Sequence, residues 1–162
     1  MTPPPSSPKP PKPEWYAPDG LRFECTQCGA CCTGPEGYVG VTEEECVAIA
    51  KLRGLTVEDF KARFTRDTED GLSLTEVRTY FGLDCVFLDR DTIPGKAICG
   101  IYHARPVQCR TFPWWPDVLK NEATWKRLAK ECEGVGRGNF VPIEEIRINR
   151  DEQADRDSGV SR

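Results

Sequence analysis

Cys25-Thr26-Gln27-Cys28-Gly29-Ala30-Cys31-Cys32 places four thiols within eight residues, and five more cysteines follow at Cys46, Cys85, Cys99, Cys109 and Cys132. A Cys-x-x-Cys step forms a tight knuckle that turns two thiolates onto one metal or cluster. Gly29 suits such a knuckle, because a chain wrapping a metal centre needs positive φ or close backbone approach. The gaps between Cys25, Cys28 and Cys31 are those with which iron–sulfur proteins hold several corners of a cubane. Neighbouring side chains in an extended or turning chain diverge. Cys31 and Cys32 are therefore expected to part, one of them reaching a second site or the core.

Composition narrows the rest. At 162 residues the chain makes one domain with tails. Its hydrophobic share of 38% lies below the usual figure of about 45–50%, so burial alone leaves the fold marginal and cysteine cross-links through metal fit the deficit. A net charge of −4 argues against a nucleic-acid partner, which would favour a basic stripe. No apolar run reaches membrane-spanning length, and Met1 to Pro13 lacks the apolar core of a secretory signal. The expected setting is the reducing cytoplasm, where cysteines serve metals or redox chemistry. An odd count of nine also fits poorly with a complete disulfide framework.

Eight prolines between Pro3 and Pro18 mark residues 1–20 as a disordered leader of polyproline-II character. Its Pro-x-x-Pro frames are of the kind that SH3-like grooves bind, although they are common by chance in such leaders. Aromatic residues resume at Trp15, the metal-binding domain is placed at 21–150, and 151–162 reads as a polar tail. Tyr38–Val41 reads as a short strand. Thr42 with Glu45 forms a capping box opening a helix that Gly54 stops, and Thr56 with Asp59 opens a second. In the first helix Cys46 reads as a buried, small apolar side chain. Strands are expected over 73–81 and 85–88, the latter returning through a hairpin loop to 97–99, so that Cys85 and Cys99 share one end. Pro106 opens a helix with Cys109 one turn in. Phe112, Trp114 and Trp115 form an aromatic wall. A helix over 124–130 leads to Cys132, Gly134 to Gly138 read as a flexible loop, and a last helix spans 142–150. The whole is a small, irregular α+β domain of short helices and a β-hairpin, stapled by metal.

Setting Cys46 aside leaves eight thiols, enough for two four-thiolate sites or for one such site plus a redox pair. Four thiolates on zinc(II) or on a 4Fe–4S core leave a charge of about −2. Arg105 and Arg110, flanking Cys109, are the natural cations to offset it. His103, the lone histidine, has no nucleophile–acid set beside it and is assigned neither a ligand nor a catalytic role. Walker, Rossmann and nucleophile-elbow patterns are absent.

Cys25-x-x-Cys28-x-x-Cys31-Cys32, Cys85-Val86-Phe87-Leu88, the run from Cys99 through Cys109-Arg110-Thr111-Phe112-Pro113, and Cys132 with glycines after it together resemble the YkgJ-type cysteine cluster family of zinc- or iron-chelating domains. The resemblance covers about residues 23–138. It implies a ligand set of Cys25, Cys28, Cys31, Cys32, Cys85, Cys99, Cys109 and Cys132, holding an iron–sulfur cluster, 4Fe–4S before other forms, or zinc. The cysteine set is also similar to that of flagellin lysine N-methylases, which implies SAM-dependent methyl transfer to protein lysine as a second function. A third is a structural zinc module presenting the Phe112–Trp115 aromatics or the leader to a partner. The first reading calls for redox or cofactor handling with a redox or protein partner, without nucleic acid or membrane.

Overall fold

Helix and strand both form small units here, and their order follows local signals. The structure, a computed structural model, describes residues 12–159. Strand β1 (Gly20–Phe23) leads into the cysteine knuckle, whose end is a 3₁₀ turn at Ala30–Cys32, and β2 (Thr33–Gly34) follows. Helices α1 (Glu43–Arg53) and α2 (Val57–Phe64) make the expected hairpin. Thr42 and Glu45 exchange both capping-box hydrogen bonds, Gly54 ends α1 in the left-handed region at φ 67°, and Thr56 accepts from Asp59 N–H. Strands β3 (Thr65–Thr68), β4 (Gly71–Leu74), β5 (Glu76–Thr79) and β6 (Gly82–Cys85) come next, then the two-residue strands β7 (Leu88–Asp89) and β8 (Ile98–Cys99). Helices α3 (Val107–Arg110), α4 (Pro116–Leu119) and α5 (Glu122–Glu131), strand β9 (Val135–Pro142) and helix α6 (Ile143–Asp157) complete the chain. The result is a mixed α+β domain of small antiparallel sheets, β1–β9, β2–β6–β5, β3–β4 and β7–β8.

Two apolar clusters form the interior. The first gathers Tyr16, Trp114, Leu119, Trp125, Ile143 and Ile146. On α5, Trp125, Leu128, Ala129 and Cys132 recur at i, i+3, i+4 and i+7, so one stripe of the helix and the cysteine beyond it face this cluster. Trp114 stacks on Trp125 at 5.5 Å between ring centroids. The second cluster gathers Cys46, Ile49, Ala50, Phe60, Leu74 and Phe87. Its α1 stripe is again i, i+3, i+4, while Val47 and Leu52 of the same helix are exposed. Cys46 has no accessible surface, as expected of a core thiol. Cys46→Ser would bury a hydroxyl in apolar surroundings at a cost of about 1–3 kcal/mol while leaving metal content unchanged. Elemental analysis beside a melting curve checks both parts.

Several expectations are corrected. Tyr38–Val41 is not a strand: only a single bridge, Gly40 to Ser73, forms there. The segment 73–81 divides between β4 and β5, with Tyr80 and Phe81 in the turn before β6. Gly136 and Gly138 of the glycine stretch after Cys132 belong to β9, which pairs with β1 through a bulge that matches Arg22 to Phe140 and Phe23 to Val135. Gly134, in the turn just before β9, lies against the chain entering the knuckle: a Cβ there would stand 2.0 Å from the Glu24 carbonyl oxygen. Phe112, Trp114 and Trp115 are buried or half-buried, so they form a wall and do not present a docking face.

The packed region also extends beyond 21–150 at both ends. Helix α6 continues through the expected tail to Asp157 with Gln153 buried, its amide oxygen accepting from the Thr111 hydroxyl. Upstream, Tyr16 is buried and Trp15 Nε1 donates to the Leu119 carbonyl at 2.8 Å. Leader residues 1–11, with most of the Pro-x-x-Pro frames, lie outside the described residues. Glu14 fastens this segment to α6 through Arg147, which donates at 2.6 Å and 3.0 Å, and through Arg150. Hydrogen bonding to Arg147, then Arg150, lowers the Glu14 pKa from 4.5 to about 2. A depressed carboxylate pKa stabilises the fold above the unfolded value and is lost as pH falls from about 4.5 toward 2. Discounted for solvent screening, Glu14→Gln should cost about 1–2 kcal/mol at pH 7. The difference from wild type should vanish in melts at pH 2.

Candidate metal centre

The knuckle takes its shape from two residues in the left-handed region, Gln27 at φ 59° and Gly29 at φ 81°. A side chain at Gly29 would also collide, with a Cβ 2.8 Å from the Ala97 Cβ. The hairpin loop before β8 clasps the knuckle: Ala97 N–H donates to the Gln27 carbonyl at 2.8 Å, and Lys96 Nζ donates to the Thr26 carbonyl at 2.9 Å. Downstream, Glu24 N–H donates to the Gly134 carbonyl, tying the start of the knuckle to the residues just past Cys132.

A cavity of about 260 Å³ opens between the two apolar clusters, and all eight cysteines of the expected set line it. Phe23 and Phe112 wall it from the first cluster, Leu74 and Ile101 from the second. Cys46 is not among its lining residues. Cys28 and Cys132 approach to 3.9 Å between sulfurs. Cys31 and Cys32 stand 3.5 Å apart and line the same cavity, so the expected divergence does not occur. The cause is the 3₁₀ turn, which swings successive side chains through about a third of a circle where an extended chain would oppose them. Cys85 ends β6 and Cys99 lies opposite Leu88 in the separate β7–β8 pair, so the two line one cavity from different sheets, where the hairpin reading puts them at one end of a single hairpin.

Burial raises the pKa of four of these thiols. Cys85 and Cys132 are each pushed up to about 11, and Cys99 and Cys109 also rise, in every case first through desolvation. Cys31 moves the other way. The hydrogen bond from Cys32 holds it down to about 7, with the charge of Arg105 adding to the effect, and Cys32 rises correspondingly.

Of the two expected cations, Arg105 lines the cavity, its guanidinium lying 3.9 Å above the Tyr102 ring. Arg110 does not. It makes a two-pronged ion pair with Glu152 on α6 at 2.7 Å and 2.9 Å, because the turn of α3 that aims Cys109 inward carries its neighbour outward. A cation that the sequence reading missed is Arg90. Its guanidinium donates to Asp84 and Thr33 at 2.7 Å each and sits against Gly29. Its place in the β7–β8 loop gives no sequence signal. His103 is exposed and packs edge-on against Tyr102.

Soft thiol donors, an adjacent guanidinium and a buried Thr26 hydroxyl without a partner in the cavity lining fit a thiolate-bound metal group. Among the described residues no three Cys, His, Asp or Glu side chains, as placed, stand close enough to hold one ion. No helix among them is long and apolar enough to cross a membrane.

Over 127 residues the chain is 30% identical to "Uncharacterized protein MJ0661" of Methanocaldococcus jannaschii, an alignment that takes in 75% of this chain and 62% of that protein. The chain thus spans less than two thirds of that relative's length. No solved structure matches it. Residues 24–133 match the CxxCxxCC family, described as "Putative zinc- or iron-chelating domain"; they take in all eight cavity cysteines, and the protein belongs to that family.

Proposed function

We propose that the chain binds iron as an iron–sulfur cluster, the 4Fe–4S form foremost, and uses it in redox or cofactor handling in the cytoplasm, with zinc on the same thiolates as the second reading. The observation that carries this is the convergence of eight cysteines, from five separate stretches of chain, on one cavity while the ninth is buried in the core. A zinc ion draws four thiolates to about 2.3 Å. Eight thiols around one cavity of about 260 Å³, twice the four that a single zinc ion takes, favour a polynuclear group. Arg105 offsets the negative charge that four thiolates leave on such a group.

Anaerobic purification followed by an absorption spectrum and by iron, zinc and acid-labile sulfide assays tests the proposal. Brown protein with iron and sulfide in equal amounts is expected. Colourless protein with stoichiometric zinc and no sulfide would overturn the iron reading in favour of zinc, and protein that binds neither metal would overturn both.

A further inference from the structure

A second cavity, also of about 260 Å³, adjoins the cysteine chamber on the side of the β2–β6–β5 sheet, and the two share Cys31, Cys32, Leu74 and Cys85. We propose that this side cavity is the route by which a divalent metal ion reaches the thiols. This rests on the thiolate–metal reading above and adds to it the path of entry and the residues that set its rate.

The sheet register lays out the path. Cys85 ends β6 directly opposite Glu76 of β5, and the pairing of Thr33 with Asp84 puts Cys32 opposite Cys85 one position on. Opposed residues of an antiparallel sheet carry their side chains on one face, with Cβ atoms about 5 Å apart. Cys32, Cys85 and Glu76 therefore form a row across one face of the sheet. Thr33 and Asp84, one position along, hold Arg90 on the other face. Glu76 has a side chain only 17% exposed, whereas that of Glu36 is 76% exposed. One carboxylate thus stands at the rim of the cavity and one beside the thiols.

The charge along this wall suits a cation. Among the described residues that line the cavity, Glu36 and Glu76 are the charged side chains other than the thiols, and there is no lysine or arginine. Arg66 pairs with both from outside the lining, at 3.5 Å and 4.0 Å, and donates to the Gly37 carbonyl. Gly37 N–H in turn donates to Glu76, so the loop after β2 is a fixed rim. The chamber's own open side, at Cys25 and Tyr102, carries Arg105 instead. A guanidinium there repels an incoming dication, whereas carboxylates attract one and yield it to the softer thiolates, which hold zinc or iron(II) more tightly.

Cadmium(II), a strong thiolate binder, probes the route on the metal-loaded full chain. Protein-bound cadmium is followed over time by rapid desalting and elemental analysis. Gly34, opposite Leu83, lies on the same face as the row of Cys32, Cys85 and Glu76, and a Cβ there meets nothing within 4 Å. Gly34→Phe therefore puts a ring into the passage without a clash at its first atom. It should slow cadmium entry about tenfold or more, with the initial metal content and melting curve of wild type. Glu36→Lys, at the exposed rim, should slow entry about three- to tenfold. Wild type supplies a readout that no variant can spoil. Its entry rate should fall as sodium perchlorate is raised, because salt screens an attractive field. A folded, metal-loaded Gly34→Phe that takes up cadmium at the wild-type rate would overturn the route, and so would a wild-type rate that holds level or rises with salt. Both results would leave the thiolate–metal reading standing. Wild type that carries no metal and takes up no cadmium would overturn that reading as well.

Discussion

Chelating the metal from the intact protein should lower its Tm by roughly 20 °C or more, with loss of the near-ultraviolet signal of the buried tryptophans. The reason lies in where the cavity sits. Neither apolar cluster is large, and the eight cysteines occupy the seam between them, Cys28 and Cys132 on one side, Cys85 and Cys99 on the other. What else joins the halves is modest. Arg156 pairs with Glu45 at 2.9 Å, Arg110 pairs with Glu152, and Thr111 bonds Gln153. Exposed or half-exposed ion pairs contribute at most about 1 kcal/mol each, whereas structural metal binding contributes about 10 kcal/mol or more. Cys28→Ser should reproduce much of the effect by stripping metal from its centre and loosening the fold around it. A melting curve unchanged by chelation, or full metal content with an unchanged melt in Cys28→Ser, would refute this coupling.

Gly134→Ala is expected to be the most damaging glycine substitution beside the knuckle, costing about 3 kcal/mol or more of stability. The added carbon would overlap the backbone oxygen of Glu24, 2.0 Å away, and a backbone atom has no rotamer through which to yield. Relief requires moving β9 from the chain entering the knuckle, which breaks the Glu24-to-Gly134 hydrogen bond that sets Cys25 beside Cys132. Chemical denaturation should show the loss in stability, and elemental analysis a parallel loss of metal. Gly54→Ala provides the contrast. Nothing lies within 4 Å of its Cβ, so only the strain of φ 67° is felt, a cost of about 1 kcal/mol. Equal effects at the two glycines would mean that the close approach at 134 relaxes freely.

Local signals were legible in the sequence where one residue decides one backbone feature. Thr42, Gly54 and Thr56 bound α1 and α2 correctly because caps and stops act within a single turn. Cys46 reads as core because it lies within a capped helix, away from any other cysteine in the sequence. The cysteines of the cavity are recognisable from spacing and resemblance together.

Long-range pairings were not legible. Gly134 to Gly138 look like a loop, yet from Val135 onward they form a strand because β1, more than a hundred residues earlier, lies against them. Arg110 and Arg90 exchange expected roles for a similar reason. Nearness to Cys109 in sequence says nothing about which way a four-residue helix turns its side chains, and Arg90 reaches the knuckle through Asp84 and Thr33. The ends of the domain were misplaced because Trp15 and Tyr16 follow a run of prolines, and Gln153 sits in a highly charged stretch. Composition there reads as solvated, whereas the contacts of individual side chains bury it.

The 104 positions between Cys28 and its neighbour Cys132 also impose an order of events during synthesis. At roughly 5–20 residues per second, the knuckle leaves the ribosome about 5–20 s before the residue that closes its wall. The first four thiols are thus offered to the cell as an open, accessible loop on a chain whose β1 still lacks a partner. Metal or cluster delivery during that interval meets four donors at once and no steric barrier. After β9 has docked, Cys25 and Cys31 stay exposed while Cys28 and Cys32 are half-buried, so the loop is at its most open on the nascent chain.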